Sequence, residues 1–168
     1  MGAMTQDEAL AILESGKSVL LTGAAGTGKT YVLNKFIKRA KARGISVAVT
    51  ATTGLAATHL NGTTIHAWSG IGVQDFADAH TTAKLGKTRQ ELIKKADTLI
   101  IDEISMLHDF RLDMVDTVLR LVRESNEPFG GIQVILCGDF FQLPQRIHQP
   151  RPQPQQTVPL LFRHRISQ

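Results

Sequence analysis

The stretch Gly23-Ala24-Ala25-Gly26-Thr27-Gly28-Lys29-Thr30 combines flexible backbone, an ammonium group and a hydroxyl in the spacing G-x-x-x-x-G-K-[ST]. The chemistry it suggests is polyphosphate binding. Backbone N–H groups of the turn converge on an anion, the helix that follows aims its positive end at the same point, and Lys29 adds a mobile charge. Thr30 then offers its hydroxyl to Mg2+. Taken alone, the pattern also fits an ordinary glycine-rich turn before a helix, so the flanking residues must discriminate.

A second set of groups completes a hydrolytic site. The apolar run "TLIIDE" stops at two carboxylates, Asp102 and Glu103. Asp102 is placed to hold magnesium on the side away from Lys29, and Glu103 to polarise an attacking water. Without the phosphate loop the same pair would read as a helix cap and a first-turn acid. The next apolar run ends in Gly138-Asp139-Phe140-Phe141-Gln142, where Gln142 could reach a γ-phosphate or its water and so register its presence. Alone, that glutamine would read as a surface turn residue.

The elements that must position these groups can be read from periodicity. Residues 18–22 form a short buried strand and residues 29–43 a helix closed by Gly44, so the loop lies between strand and helix. Thr5-Gln6-Asp7-Glu8 has the form of a capping box and opens a helix that Gly16 closes. "ISVAVTA" predicts a second strand, "TTGLAATHL" a short helix, and "NGTTIHAWSGIG" a loop that includes one helical turn; residues 72–87 look irregular. "TRQELIKKAD" is helical in period, "TLIIDE" is the third strand, and Leu112, Val115, Leu119 and Val122 mark one face of a helix over 109–125. "GIQVILCGDFFQLP" supplies a fourth strand. Such alternation predicts an α/β fold, a mostly parallel sheet with helices on both faces, with ligands at the carboxyl ends of the strands.

Composition bounds the rest. A chain of 168 residues, 42% hydrophobic, suits one domain. The single cysteine, Cys137, excludes an internal disulfide and reads as an inert core residue. No apolar run approaches the roughly 20 residues that span a bilayer, so no membrane partner and a reducing compartment are expected. The net charge of +4 resides in Arg146, Arg151, Arg163 and Arg165, and the rest of the chain balances. Bulk charge therefore does not argue for nucleic acid. Residues 1–4 read as a cloning remnant, residues 5–144 as the domain, and residues 145–168 as a Pro/Gln/Arg-rich tail, disordered or non-native, in which only "VPLLF" could dock.

The blocks "GAAGTGKT", "VTATTGLAATHLNGTTIHAWSGIG", "LIIDEISML" and "PFGGIQVILCGDFFQLP", in this order, resemble the Pif-one (petite integration frequency) family of superfamily-one DNA helicases over about residues 6–144. The resemblance implies the first of two RecA-like motor domains of P-loop NTPase type. It implies ATP and Mg2+ as cofactors, single-stranded DNA as partner, and 5′-to-3′ movement in DNA repair, recombination and telomere maintenance. It assigns adenine reading to Gln6, phosphate and magnesium roles to Lys29 and Thr30, magnesium to Asp102, the catalytic base to Glu103 and γ-phosphate sensing to Gln142. Thr52 and Thr53 resemble hydroxyl donors to the DNA backbone, and Thr64, His66 and Trp68 a further DNA-facing loop. Hydroxyls and helix starts suit phosphates, and an imidazole or indole offers a stacking face for bases. A capped helix with a partly buried Trp is the plainer alternative. "DEISMLHDFRLDMVDTVLRLVRE" resembles the family's signature stretch, in which His108 and Arg111 receive no role.

The family pattern is lost after Pro144. A natural linker, an artefact and a shifted reading frame would each explain the tail. The expectation is a monomeric motor half lacking its second domain and that domain's arginine, with hydrolysis slow or absent; such an arginine is worth about 10³ to 10⁵ in rate. It would act in the cytoplasm or nucleoid of a bacterium, or in a eukaryotic nucleus or mitochondrion. The alternative from another class is a non-motor, ATP-dependent single-stranded DNA-binding switch. A small-molecule kinase would leave residues 50–72 and the Asp102-Glu103 pair without a purpose.

Overall fold

The computed structural model describes residues 4–72, 84–139 and 163–165. Its strands are β1 (Val19–Thr22), β2 (Val47–Ala51), β3 (Thr63–Thr64), β4 (Thr98–Asp102), β5 (Gln133–Gly138) and β6 (Arg163–Arg165). They form one sheet in the order β3-β2-β4-β5-β1-β6, with every pair parallel. The helices are α1 (Gln6–Glu14), α2 (Lys29–Ala42), α3 (Gly54–His59), α4 (Ile65–Ser69), α5 (Lys87–Lys95) and α6 (Asp109–Arg123). Two 3-10 turns, Ile104–Met106 and Pro128–Gly131, lead out of β4 and into β5.

The period-2 alternation of a strand divides the core into two layers. Val19, Leu21, Ile100, Ile135 and Cys137 face α1 and α2. Their neighbours Leu99, Ile101, Val134 and Leu136 face α5 and α6. The central strands carry apolar residues on both faces because helices cover both. Ile100, Ile101 and Ile135 are fully buried, and each such side chain contributes about 1.5–3 kcal/mol by leaving water. On α6 the predicted Val115, Leu119 and Val122 are buried together with Met114 and Val118, whereas Leu112 is only half-buried.

The capping box forms as predicted. The Thr5 hydroxyl accepts from the Glu8 N–H at 3.2 Å, and Glu8 accepts from the Thr5 N–H at 2.8 Å. Gln133 then fixes the far end of α1: its Nε2 donates to the carbonyls of Leu13 and Lys17 at 2.8 and 2.9 Å, while its Oε1 accepts from Thr98 Oγ1 at 3.0 Å. One amide at the base of the sheet thus ties α1 to β4 and β5, and α1 carries Gln6 to the opposite edge.

The sequence reading departs from the structure in two places. The segment read as a loop with one helical turn contains that turn, as α4, and also the two-residue strand β3, which the sequence reading did not include. Ile65 is fully buried, the Thr64 hydroxyl accepts from the Ala67 N–H at 3.2 Å, and Ser69 Oγ donates to the Ile65 carbonyl at 2.6 Å. An anchor residue and two local hydroxyl bonds hold a helix too short to show a period. The expectation of an irregular tail with docking at "VPLLF" does not extend to Arg163–Arg165, which lies just beyond and pairs with Leu20–Thr22. Strand pairing uses backbone groups that every side chain leaves available, and β1 would otherwise present an open edge. Residues 145–162 lie outside the described residues.

Candidate nucleotide site and nucleic-acid edge

β1 ends at Thr22 and α2 begins at Lys29, so Gly23–Gly28 is the connection between them. Gly26 and Gly28 have φ of +81° and +86°, a region where a side chain is strained. Space reinforces the choice at Gly28: a Cβ there would stand 2.1 Å from Gln6 Nε2. Gln6 thus lies directly on the loop, and its Nε2 donates to the Thr27 carbonyl at 3.4 Å. The Thr27 hydroxyl, turned inward, donates to the Ala24 carbonyl at 2.8 Å and closes the turn. Lys29 Nζ folds back over the loop to the carbonyls of Gly23 and, at 2.8 Å, of Ala24. Thr30 leaves its side chain exposed beside it.

Asp102 ends β4, two strands away from β1, and its Oδ1 accepts from the Glu103 N–H at 2.8 Å. This bond bends the chain sharply: Glu103 has φ +53° and ψ +43°, a left-handed conformation costing a non-glycine residue about 1–3 kcal/mol. The bend leaves the Glu103 side chain exposed at the carboxyl edge of the sheet. Behind it, the Thr52 N–H donates to the Asp102 carbonyl at 3.2 Å and Thr52 Oγ1 to the Glu103 carbonyl at 3.0 Å.

Cys137 lies on β5, between the β1 and β4 strands that carry these groups, opposite Leu21. Burial, followed by the charge and hydrogen bonding of Asp102, pushes its thiol well up from its ordinary pKa, and Lys29 and Glu103 act on it as well. The thiol is buried, in keeping with the core role expected from the sequence, and it interacts with Asp102 on the neighbouring strand. That contact was missed because only the strand order shows it.

The residues assigned to DNA have mixed surroundings. The Thr52 hydroxyl donates to the Glu103 carbonyl. Thr53 and Thr64 cap α3 and α4, their hydroxyls accepting from Ala56 and Ala67 N–H groups at 3.2 Å. Trp68 is half-buried against the α5/α6 core. His66 is held below its usual pKa, first by burial and then by the positive charge of Arg111, so its ring is neutral at pH 7. Arg111, which received no role from sequence, donates to the Gly72 carbonyl at 3.0 Å and lies 5.0 Å from the Phe110 ring centre. It thereby links the signature helix to the end of the His66 loop. Gln142 lies outside the described residues.

The donor set suits Mg2+. No group of three or more His, Cys, Asp or Glu side chains able to hold a metal occurs among the described residues. A hydroxyl and one carboxylate are what Mg2+ takes when phosphates and water complete its octahedron. Nor is any described helix long and apolar enough to cross a membrane.

A glycine-rich loop between β1 and α2, with carboxylates at the end of β4 in a parallel sheet, defines a P-loop nucleoside triphosphatase fold. The family model of PIF1-like helicases matches residues 5–161, past the expected limit at Pro144, and the chain belongs to that family. The chain is 52% identical over 143 residues to the ATP-dependent DNA helicase Pif1 of a Psychrobacter species, covering 84% of this chain and 22% of that protein. The crystal structure of Pif1 helicase from Candida albicans superposes with a TM-score of 0.78 at 38% identity, over 86% of this chain and 34% of that one. The Bacteroides Pif1 helicase in complex with ADP-AlF3 and single-stranded DNA gives 0.71 at 39% identity, over 84% and 34%. The chain therefore spans about a fifth to a third of these proteins.

Proposed function

We propose that residues 5–144 are the first, ATP-binding motor domain of a 5′-to-3′ DNA helicase that moves along single-stranded DNA. The observation that carries this reading is the glycine-rich loop with Lys29 folded over it at the end of β1, and Asp102 and Glu103 at the same edge of the parallel sheet at the end of β4. The similar Bacteroides protein, crystallised with ADP-AlF3 and single-stranded DNA, supports it.

On this reading the amides of Gly23, Ala24, Ala25, Gly26, Thr27 and Gly28 cradle the phosphates, and Lys29 exchanges its loop carbonyls for phosphate oxygens. Gln6, already against the loop, reads the base. Thr30 and Asp102 hold Mg2+, which when bound neutralises phosphate charge. Glu103 accepts the proton of the attacking water, and Gln142 senses the γ-phosphate. Thr52, Thr53, Thr64, His66 and Trp68 face DNA, and Thr52 also anchors the strand end that presents Glu103. The chain spans about a fifth to a third of its relatives, and unwinding on this reading also needs a second motor domain with its arginine. The place of action is the bacterial cytoplasm or nucleoid, or the eukaryotic nucleus or mitochondrion.

Calorimetric titration of ATP with Mg2+ into Lys29→Ala tests the phosphate loop: the expected result is no measurable binding, and normal affinity would overturn the assignment.

A further inference from the structure

Tyr31 follows Thr30 in the first turn of α2, yet 58% of it is exposed and it takes no part in the core. Its ring lies 5.8 Å from Lys35 Nζ, one turn along the same helix. Lys35 Nζ in turn pairs with Asp7 Oδ1 at 3.3 Å, and Asp7 adjoins Gln6, whose amide rests on Thr27. Tyr31, Lys35, Asp7 and Gln6 therefore run across the gap between α1 and α2, beside the phosphate loop. A nucleoside triphosphate seated in the loop directs its γ-phosphate toward the carboxylates on β4. Its nucleoside must then leave on the opposite side, where these four residues stand.

We propose that Tyr31 is a nucleotide-binding residue whose ring is a stacking platform for the base of the bound nucleotide, held in place by the Lys35 cation. The inference rests on the phosphate-loop reading above and deepens it. An aromatic face adds affinity for any base, whereas Gln6 reads hydrogen-bonding groups at the base edge. The pair divides the task between attraction and selection.

The test is calorimetric titration of the full chain and its Tyr31→Ala and Tyr31→Phe variants with ATP and, separately, inorganic tripolyphosphate, both with Mg2+. The expected result is that Tyr31→Ala weakens ATP about tenfold and leaves tripolyphosphate unchanged, while Tyr31→Phe restores ATP binding. Unchanged ATP affinity in Tyr31→Ala, or an equal loss for both ligands, would overturn the platform. A wild-type chain that binds neither ligand would overturn the phosphate-loop reading itself.

Discussion

The hydroxyl of Thr52 donates to the main-chain carbonyl of Glu103 at 3.0 Å. One residue begins the segment assigned to DNA, and the other carries the carboxylate assigned to water activation. The bond joins the two at the point where Glu103 is held in a left-handed conformation. On the proposed reading, a shift of the DNA segment reaches the Glu103 main chain through this bond and through the Thr52 N–H bond to the Asp102 carbonyl. Thr52→Val, which keeps the shape and removes the donor, should lower stability by about 1 kcal/mol in urea unfolding. It should also reduce any stimulation of ATP turnover by single-stranded DNA, with ATP affinity unchanged.

Glu103 should show opposed effects on stability and turnover. Glu103→Gly relieves the left-handed strain and should stabilise the fold by about 0.5–1 kcal/mol, the strain relief less the added chain entropy. Glu103→Gln keeps the strain and should melt near the wild type. Both should abolish hydrolysis, so equal melting temperatures for the two variants would contradict the strain assignment.

Gly28→Ala should lose both stability and nucleotide binding. Its φ of +86° costs alanine about 1–2 kcal/mol, and the new methyl meets Gln6. Adding Gln6→Ala should remove the clash and leave the backbone term. A double variant as stable as the wild type would show that the clash was the whole effect.

Much of this site was legible in the sequence because its parts are local. The phosphate loop is a contiguous strand, turn and helix, and the Asp102-Glu103 pair follows directly from an apolar run. What escaped notice is non-local. Cys137 meets Asp102 only because β5 pairs with β4, and Arg111 reaches Gly72 across a separation that no spacing rule reports. The short β3 was hidden for another reason: two residues are too few to show a period, whereas the turn that became α4 was legible around buried Ile65.

His66 offers a pH test. Burial first, and the Arg111 charge second, hold its pKa below the ordinary value of about 6.5. The unfolded chain therefore takes up a proton first as pH falls. The His66 contribution to stability is present above that ordinary pKa and is lost as pH drops through it toward the lower folded value. Arg111→Ala should raise the His66 pKa in an NMR titration; no change would remove Arg111 as a cause.

Arg123 should be a large stability determinant remote from the site. Its Nη1 donates to the carbonyls of Ile93, Lys94 and Ala96 at 3.0, 2.9 and 3.1 Å, and its Nε to Gly130 at 2.9 Å. This one guanidinium caps α5 and holds the turn before β5. Arg123→Ala should cost about 2–3 kcal/mol, and lysine should recover little because it lacks the fork. Chemical denaturation of both variants checks this.

The most direct test of the central claim is steady-state ATP turnover by the purified chain with Mg2+, with and without single-stranded DNA, beside Glu103→Gln. The account predicts slow turnover by the wild type that DNA increases and the variant lacks, with ATP binding retained in both. Turnover that survives Glu103→Gln unchanged would contradict it.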